Sequence, residues 1–263
     1  MDHERQRIAE DLRGVVAGEV LCDDPSRALY ATDGSLFEVW PLAVVRPRVV
    51  DDVAATVRWA AERGVPVHAR GAGSSLTGDA LGPGVVVDCS RFLRRVVATT
   101  ADTVRVQPGV VAAQLEEHLR PRGRCFGPDP AAAAVTTIGG MIGRNTSGSR
   151  FLRLGAVRDR LLAVQAVLAD GTVVELEPTR PADGPADAEA AAPDPGARPA
   201  ALAAGLVRIL DEEAATIQAG QPRARLAHGG YRLDDLRRDG LVDLPRLLCG
   251  AAGTLAIVTE ATL

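Results

Sequence analysis

The chain has 263 residues, of which 46% are hydrophobic and 24% charged, and its formal net charge is -4. This composition is typical of a globular protein, and aromatic residues at only 3% imply a core of Val, Leu and Ala. The small negative charge gives no reason to expect nucleic acid or an anionic membrane as a partner. The charged first residues do not resemble a signal peptide, and no apolar stretch is long enough for a transmembrane segment. We therefore expect a soluble protein.

The four cysteines, at positions 22, 89, 125 and 249, form no C-x-x-C pair. Metal and iron–sulfur sites use closely spaced thiolates, so the sequence predicts no metal site in this chain. Reduced and mostly buried thiols are typical of a cytoplasmic protein, which is the predicted location.

The first hundred residues predict a small α/β unit. A helix is expected over 4–16, and a buried strand over 42–45. A second helix over 51–63 begins with two acidic residues, which favour the positive end of its dipole. Strands follow over 65–69 and 84–88. A strand, a helix and a strand joined by short connections indicate a parallel sheet covered by helices.

Beyond residue 100 the pattern favours an antiparallel α+β unit. Alternation predicts a strand over 103–107, and an amphipathic helix is expected over 111–119. Strands over 161–168 and 172–176 flank Asp170-Gly171, a pair that predicts a hairpin with a two-residue type I′ turn.

The last part of the chain contains one segment of unusual composition. Residues 178–200 are rich in Pro, Ala, Asp and Gly, and predict a flexible surface loop. A helix is expected over 201–217, and a final strand over 254–258.

The segment most suggestive of chemistry follows the strand at 65–69 and reads Arg70-Gly71-Ala72-Gly73-Ser74-Ser75-Leu76-Thr77-Gly78. Its glycines let successive N–H groups point into one concavity, and its three hydroxyls add donors, which suits a phosphate or pyrophosphate. An ordinary turn is the alternative for this loop. The dinucleotide fingerprint G-x-G-x-x-G is excluded because position 76 is leucine, and no G-x-x-x-x-G-K-[ST] motif is present.

A second glycine-rich segment spans 136–148 and follows Phe126-Gly127-Pro128-Asp129-Pro130. Consecutive small residues let a flat ligand lie against the backbone, while hydroxyls and Asn145 can bond to its polar edges. A plain loop is again the alternative. The two segments together predict one site for a pyrophosphate and a ring system.

Five motifs in order carry a family resemblance. They are Arg70-Gly71-x-Gly73-Ser74-Ser75, Val106-Gln107-Pro108-Gly109-Val110, Gly127-Pro128-Asp129-Pro130, Thr137-Ile138-Gly139-Gly140-Met141 and Gly250-x-x-Gly253-Thr254-Leu255. This order resembles the FAD-binding domain of the vanillyl-alcohol oxidase/p-cresol methylhydroxylase (PCMH-type) flavoproteins. Within that family it is most similar to D-lactate, glycolate and D-2-hydroxyglutarate dehydrogenases, and it spans residues 30–263.

The resemblance implies an α+β, two-part FAD-binding fold that is not a Rossmann fold. Residues 1–99 would form the smaller, parallel-sheet part and 100–263 the larger, antiparallel part. The cofactor would be FAD bound non-covalently, because His68 is not at the usual attachment position. His118 is expected to face solvent. His228 lies in a stretch that also resembles the family, for which a place at the mouth of an active site is one alternative.

The resemblance also implies roles for individual residues toward FAD. The pyrophosphate would be held by Arg70, Gly71, Ala72, Gly73, Ser74, Ser75 and Thr77. The channel would be lined by Pro108, Gly109, Pro128 and Asp129. The flavin and its chain would be flanked by Thr136, Thr137, Gly139, Gly140, Gly143, Asn145, Ser147 and Gly148. Gly253 would also bind the cofactor, and the last strand would contribute Ile257 and Val258.

The implied reaction is oxidation of a small 2-hydroxy acid, in which the flavin accepts a hydride from C2 while a base removes the hydroxyl proton. In the family, the substrate carboxylate site and the base belong mostly to a C-terminal cap domain, which we expect to be absent here. The sequence therefore identifies no catalytic residue, and the chain alone is expected to be inactive. An iron–sulfur domain or subunit is the expected electron acceptor. A non-catalytic FAD-binding subunit is the alternative, and an enolpyruvyl-sugar type of reductase is a more distant one.

Overall fold

The computed structural model describes residues 3–182, 194, 196–220 and 230–263. Within them the chain forms an α+β structure with a four-stranded sheet, a five-stranded sheet and a three-stranded sheet. The predicted fold class is confirmed, since the first sheet contains parallel strand pairs and the second is antiparallel.

The four-stranded sheet has the order β1-β2-β4-β3. Its strands are β1 (Glu19–Leu21), β2 (Ala43–Arg46), β3 (Val67–Arg70) and β4 (Val85–Asp88). β4 runs parallel to both β2 and β3, and β1 adds an antiparallel edge. All four residues of the central strand β4 are buried, as a continuous apolar run predicts. Residues 71–80 leave this sheet at the carboxyl end of β3.

Three helices accompany this sheet: α1 (His3–Val15), α2 (Asp24–Tyr30) and α3 (Val50–Glu62). The predicted helices at 4–16 and 51–63 correspond to α1 and α3 within one residue at each end. Asp52 stabilises the first turn of α3, because its carboxylate accepts from the backbone N–H groups of Arg48 and Val49. Gly64 follows the helix with a φ of 62°, the left-handed conformation common after a helix end.

The five-stranded sheet has the order β5-β6-β12-β7-β8. Its strands are β5 (Val96–Thr99), β6 (Val104–Val106), β7 (Ala163–Val167), β8 (Val173–Leu176) and β12 (Ile257–Thr262). The last strand was predicted at 254–258, so its start was placed three residues too early and its end four residues too early. The Thr254 N–H donates to the Ala251 carbonyl, which makes residues 251–254 a turn, and pairing with β7 begins only at Ile257.

The β7–β8 hairpin is confirmed, but its predicted type I′ turn is wrong. Gly171 has a φ of 79°, whereas Asp170 is not among the positive-φ residues. The Gly171 N–H donates to the Leu168 carbonyl and the Leu168 N–H to the Thr172 carbonyl. The connection is thus a three-residue loop with one left-handed glycine, for which Asp-Gly is equally suited.

Further helices and short strands lie in the part of the chain beyond residue 110. They are α4 (Ala112–Leu119), α5 (Ile138–Arg144), α6 (Phe151–Leu154), α7 (Arg198–Glu212), α8 (Ala214–Gly220), α9 (Leu244–Leu248), β9 (Pro178–Thr179), β10 (Arg237–Arg238) and β11 (Leu241–Asp243). The last three strands form the small sheet in the order β10-β11-β9. The predicted helix at 201–217 is divided between α7 and α8.

The predicted loop at 178–200 has ordered ends. It begins in β9 and runs into α7, while residues 183–193 and 195 lie outside the described residues. Among the residues that the structure does describe, no helix combines the length and apolarity needed to cross a bilayer.

A buried cluster joins the two larger sheets. Val53 and Val57 of α3 pack with Val167 of β7 and Ile257 of β12. The Arg58 guanidinium also donates to the Gly171 carbonyl at 3.0 Å. Helix α3 therefore fixes one sheet against the other, so the loop after β3 faces elements carried by the antiparallel sheet.

Candidate functional site

A cavity of about 320 Å³ lies between the loop that follows β3 and helix α5. Ser74 and Gly140 both line it, so the two glycine-rich segments share one cleft. Its volume is within the range of small-molecule and cofactor sites.

The loop after β3 presents unused backbone donors to this cavity. Across the described part of the chain, the N–H groups of residues 71–76 have no protein hydrogen-bond acceptor. Gly73 has a φ of 66°, which lets the chain turn so that successive N–H groups point to one side. Unpaired N–H groups are costly unless water or a ligand accepts from them. The loop is thus suited to bind an anionic group.

The Arg70 guanidinium packs against this loop on the side of Tyr30. Its guanidinium donates to the carbonyl oxygens of Tyr30 at 3.1 Å and Thr32 at 2.9 Å, and it lies over the Tyr30 ring. A Cβ on Gly73 would clash with the guanidinium, so the loop lies directly on it. Burial lowers the pKa of Arg70, while Tyr30, Asp88 and Asp33 oppose that shift. Arg70 therefore adds positive potential beneath the loop while its hydrogen bonds go to the protein.

A polar cluster connects the two walls of the cavity. Arg144, at the end of α5, donates through one terminal nitrogen to Thr77 Oγ1 at 2.7 Å and to Ser75 Oγ at 3.2 Å. The same nitrogen pairs with the Asp79 carboxylate. Both hydroxyls in turn donate to Asp79, at 3.0 and 3.1 Å. Two hydroxyls, one cation and one anion thus meet at the cavity.

Helix α5 forms the opposite wall and was not predicted as a helix. The Thr137 side chain caps it by accepting from the Gly140 N–H. The Ile138 and Gly139 N–H groups donate to the carbonyls of Val110 and Pro108 at 2.8 Å. The protein itself therefore satisfies the first donors of α5, and this helix contributes close approach of its backbone to a ligand.

The far end of α5 is fixed by residues 250–252. The Gly250 and Ala252 N–H groups donate to the carbonyls of Ile142 and Gly143, at 3.0 and 2.8 Å. These bonds satisfy carbonyls that a helix end leaves free. Asn145 ends the helix in the left-handed conformation, with a φ of 49°.

The cavity wall contains fourteen of the predicted cofactor-binding residues. They are Arg70, Gly71, Ala72, Gly73, Ser74, Ser75, Pro108, Thr136, Thr137, Gly139, Gly140, Gly143, Gly253 and Val258. The others are not part of that wall. They are Thr77, Gly109, Pro128, Asp129, Asn145, Ser147, Gly148 and Ile257.

Several of these residues have local structural partners instead. Asn145 is 1% exposed and its side-chain oxygen accepts from the Arg158 N–H. Asp129 accepts from the Ser149 hydroxyl at 2.7 Å, which together with Arg150 lowers the pKa of this carboxyl. The Asp129 N–H donates to the Ser147 carbonyl, so these residues form a paired segment beside α5.

Arg144 and Asp79 were not predicted as site residues, although Arg144 lies inside the glycine-rich segment 136–148. Arg144 is the one charged side chain within the glycine-rich segment 136–148, and this was the available signal. Cys89 was not predicted either; it lies at the cavity wall, where burial raises the pKa of the thiol to about 12. The thiol is therefore neutral near pH 7.

None of the histidines in the described residues, His3, His68 and His118, is part of the cavity wall. Burial lowers the pKa of His68, and its Nε2 is buried without a partner in the described chain. His118 forms a hydrogen bond with Thr99 Oγ1 at 2.9 Å and is only partly exposed. His228 lies outside the described residues, so its predicted place at an active-site mouth stays a prediction.

Comparison with known proteins decides the family. A family model described as "FAD binding domain" matches residues 41–177, which is more than half of the chain. The chain belongs to the FAD binding domain family. FAD as the cofactor, and the predicted flavoprotein family, are thereby confirmed.

This FAD binding domain is similar in sequence to a dehydrogenase and to an oxidase subunit. It is 33% identical over 253 residues to D-2-hydroxyglutarate dehydrogenase from Pantoea ananatis, covering 94% of this chain and 24% of that protein. It is 30% identical over 165 residues to glycolate oxidase subunit GlcD from Bacillus subtilis, covering 60% of this chain and 35% of that protein. The chain thus spans about a quarter of the length of the dehydrogenase.

A solved structure shares the fold. Alkyldihydroxyacetonephosphate synthase superposes over 100% of this chain and 40% of its own, with a TM-score of 0.66 at 19% identity. At that identity the likeness concerns the fold alone.

The residues of this FAD binding domain fit a dinucleotide with a diphosphate bridge. Unpaired N–H groups at residues 71–76 suit the diphosphate. On the other wall, Gly140 and Gly143 line the cavity without a Cβ, which leaves room for a flat ring against α5.

Proposed function

We propose that this chain is the cofactor-binding part of a flavin-dependent dehydrogenase that oxidises a small 2-hydroxy acid. D-2-hydroxyglutarate, D-lactate and glycolate are the candidate substrates. The observation that carries the proposal is the pairing of free loop N–H groups with the glycine-lined wall of α5 in one cavity. The match to a D-2-hydroxyglutarate dehydrogenase over 94% of the chain supports the choice of reaction.

Each wall of the cavity has its own task in this proposal. The N–H groups of residues 71–76, with Arg70 beneath them, hold the diphosphate of FAD. Thr136, Thr137, Gly139, Gly140 and Gly143 hold the ring system against α5. Pro108, Gly253 and Val258 complete the wall around it, and FAD is bound non-covalently. Bound FAD supplies the two-electron acceptor for oxidation of the substrate C–H bond.

The predicted site residues outside the cavity wall act indirectly in this proposal. Asn145 ends α5, and Asp129, Ser147 and Gly148 support the segment beside it. Gly109 supports Pro108, because its N–H donates to the Leu93 carbonyl at 2.8 Å. Thr77 and Ile257 are next in sequence to residues that line the cavity, and Pro128 lies two residues before Pro130, which also lines it.

The remaining functions are assigned to protein outside this chain. A cap domain would supply the substrate carboxylate site and the base, and an iron–sulfur domain or subunit would accept the electrons. The two parts of the fold were predicted to meet at residue 99. We place the boundary between β4 and β5 instead, because β5 pairs with β6 and so belongs to the antiparallel sheet. A reducing compartment such as the cytoplasm suits the four free cysteines.

FAD titration of the purified chain, followed by quenching of flavin fluorescence, tests the first part. Saturable binding of one FAD per chain is expected, and lack of binding would overturn the proposal. The second part is tested on the complete product of the gene that encodes this chain. Anaerobic addition of D-2-hydroxyglutarate, D-lactate or glycolate should bleach the flavin absorbance, whereas L-2-hydroxyglutarate serves as the control. A complete product that binds FAD but is bleached by none of them would leave a non-catalytic FAD-binding subunit.

A further inference from the structure

Arg144 faces the diphosphate loop across the cavity. It is the last residue of α5, yet its guanidinium reaches Ser75 and Thr77 on the opposite wall. Arg144, Ser75 and Asp79 all line the cavity. A cation is thereby placed beside the row of free N–H groups at residues 71–76.

The hydrogen-bond partners of Arg144 leave donors available to a ligand. One terminal nitrogen makes the contacts with Ser75, Thr77 and Asp79. Its other terminal nitrogen and Nε have no protein partner in the described ranges, and the side chain is 45% exposed. Arg70 differs, because its guanidinium donates to the carbonyls of Tyr30, Thr32 and Ala80. Arg144 is thus the better placed of the two arginines to donate to a diphosphate.

Asp79 has the opposite effect on such a ligand. Its carboxylate is a negative charge within the cluster that faces a doubly negative diphosphate, and like charges repel. Without a ligand, Asp79 neutralises Arg144. A partly exposed ion pair contributes little to stability, so exchange of the carboxylate for a phosphate oxygen costs little. Arg–phosphate hydrogen bonds are charge-assisted on both sides and therefore strong.

We propose that Arg144 binds the diphosphate of FAD, and that Asp79 competes with the diphosphate for Arg144. The proposal rests on FAD binding in this cavity. It adds Arg144 as a residue that binds the diphosphate and Asp79 as a negative charge that weakens FAD binding. The alternative is a purely structural role for Arg144, in which its ion pair with Asp79 holds the two walls in place.

The test is the dissociation constant of FAD for the purified chain and three variants, followed by flavin fluorescence. Arg144→Gln is expected to weaken FAD binding about tenfold to a hundredfold, the range for loss of a charge-assisted hydrogen bond. Asp79→Asn is expected to strengthen it roughly threefold to tenfold, because a repulsive charge is removed. The double variant should show a smaller gain relative to Arg144→Gln, because charge repulsion is still relieved but Arg144 is no longer present to be released.

Three controls test whether the effect is specific to Arg144 and to the diphosphate. Arg124→Gln removes an exposed arginine that is paired with Asp102 away from the cavity, and FAD affinity should not change. Riboflavin, which has no diphosphate, should bind wild type and Arg144→Gln equally. Raising the salt concentration should weaken FAD binding to wild type more than to Arg144→Gln.

Whether Asp79→Asn strengthens or weakens FAD binding decides between competition for Arg144 and a structural role of the ion pair. Tighter binding cannot result from a misfolded variant, so this arm remains informative even if Arg144→Gln is unstable. If Asp79→Asn weakens FAD binding as Arg144→Gln does, the pair is a structural brace and the proposal is overturned. Equal affinities for FAD in all variants would overturn it too, while leaving the FAD site intact. Failure of wild type to bind FAD would overturn the proposed function itself.

Discussion

Gly71 and Thr137 lie against each other at the cavity, where a Cβ built on Gly71 would overlap the Thr137 hydroxyl. Gly71 opens the loop after β3, and Thr137 caps α5. The two walls therefore meet here as a glycine against a helix cap. Their separation depends on the missing side chain at position 71.

Replacement of Gly71 by alanine should push the two walls apart. We expect Gly71→Ala to lower the unfolding free energy by about 1–3 kcal/mol, as overpacking does, and to weaken FAD binding. Urea denaturation and FAD titration measure the two effects. Gly205→Ala is the matched control, because a Cβ there meets nothing within 4 Å and the position lies within helix α7. An equal loss of stability in both variants would contradict the packing argument.

Ala252 has a φ of 50°, a left-handed conformation that costs alanine free energy and suits glycine. Its N–H is bonded to Gly143, so the conformation is maintained at the end of α5. We expect Ala252→Gly to raise the unfolding free energy by up to about 1 kcal/mol. Ala251→Gly, at a buried neighbour without positive φ, should instead be destabilising. Thermal or urea unfolding compares the two, and a destabilised Ala252→Gly would count against this account.

The cysteines should differ strongly in reactivity. Cys125 is exposed, whereas Cys22, Cys89 and Cys249 are buried. Burial raises the pKa of Cys89 and of Cys249 to about 12, so almost none of either is thiolate near neutral pH. Iodoacetamide should therefore label Cys125 first, as peptide mass spectrometry would detect. A Cys125→Ser variant should label only slowly under the same conditions. Rapid labelling of Cys89 in the folded chain would show that the cavity wall opens.

Acid should destabilise the chain through His68. Burial lowers the pKa of its imidazole below the unfolded value of about 6.5, so the unfolded state binds the proton more readily. The contribution of His68 is complete above that pH and is lost as the pH falls through it towards the folded pKa. Urea denaturation at about pH 7.5 and about pH 5.5 should show this loss. A His68→Gln variant should have a smaller loss, and an unchanged loss would assign the effect to other groups.

Local patterns were sufficient to predict much of the architecture. The helices α1 and α3, the strands β2 to β4 and the β7–β8 hairpin follow from apolar periodicity and turn residues. The two glycine-rich segments were correctly placed in one cavity, because their backbone properties are local and their order along the chain resembles a known family.

Other features depend on contacts between distant residues. α5 was missed since its glycines disfavour a helix, and it is maintained by bonds from Ile138 and Gly139 to residues 108–110 and from Gly250 and Ala252 to its end. β12 was misplaced because its start is determined by pairing with β7, about ninety residues earlier.

The cluster of Arg144 with Ser75, Thr77 and Asp79 joins segments separated by more than sixty residues. Nothing in either segment indicates that the other is near. Backbone conformation follows largely from neighbouring residues, whereas the meeting of two side chains depends on how helices and sheets pack. The composition of the two glycine-rich segments could therefore be interpreted directly, but the charge balance between them emerged only once packing had brought them together.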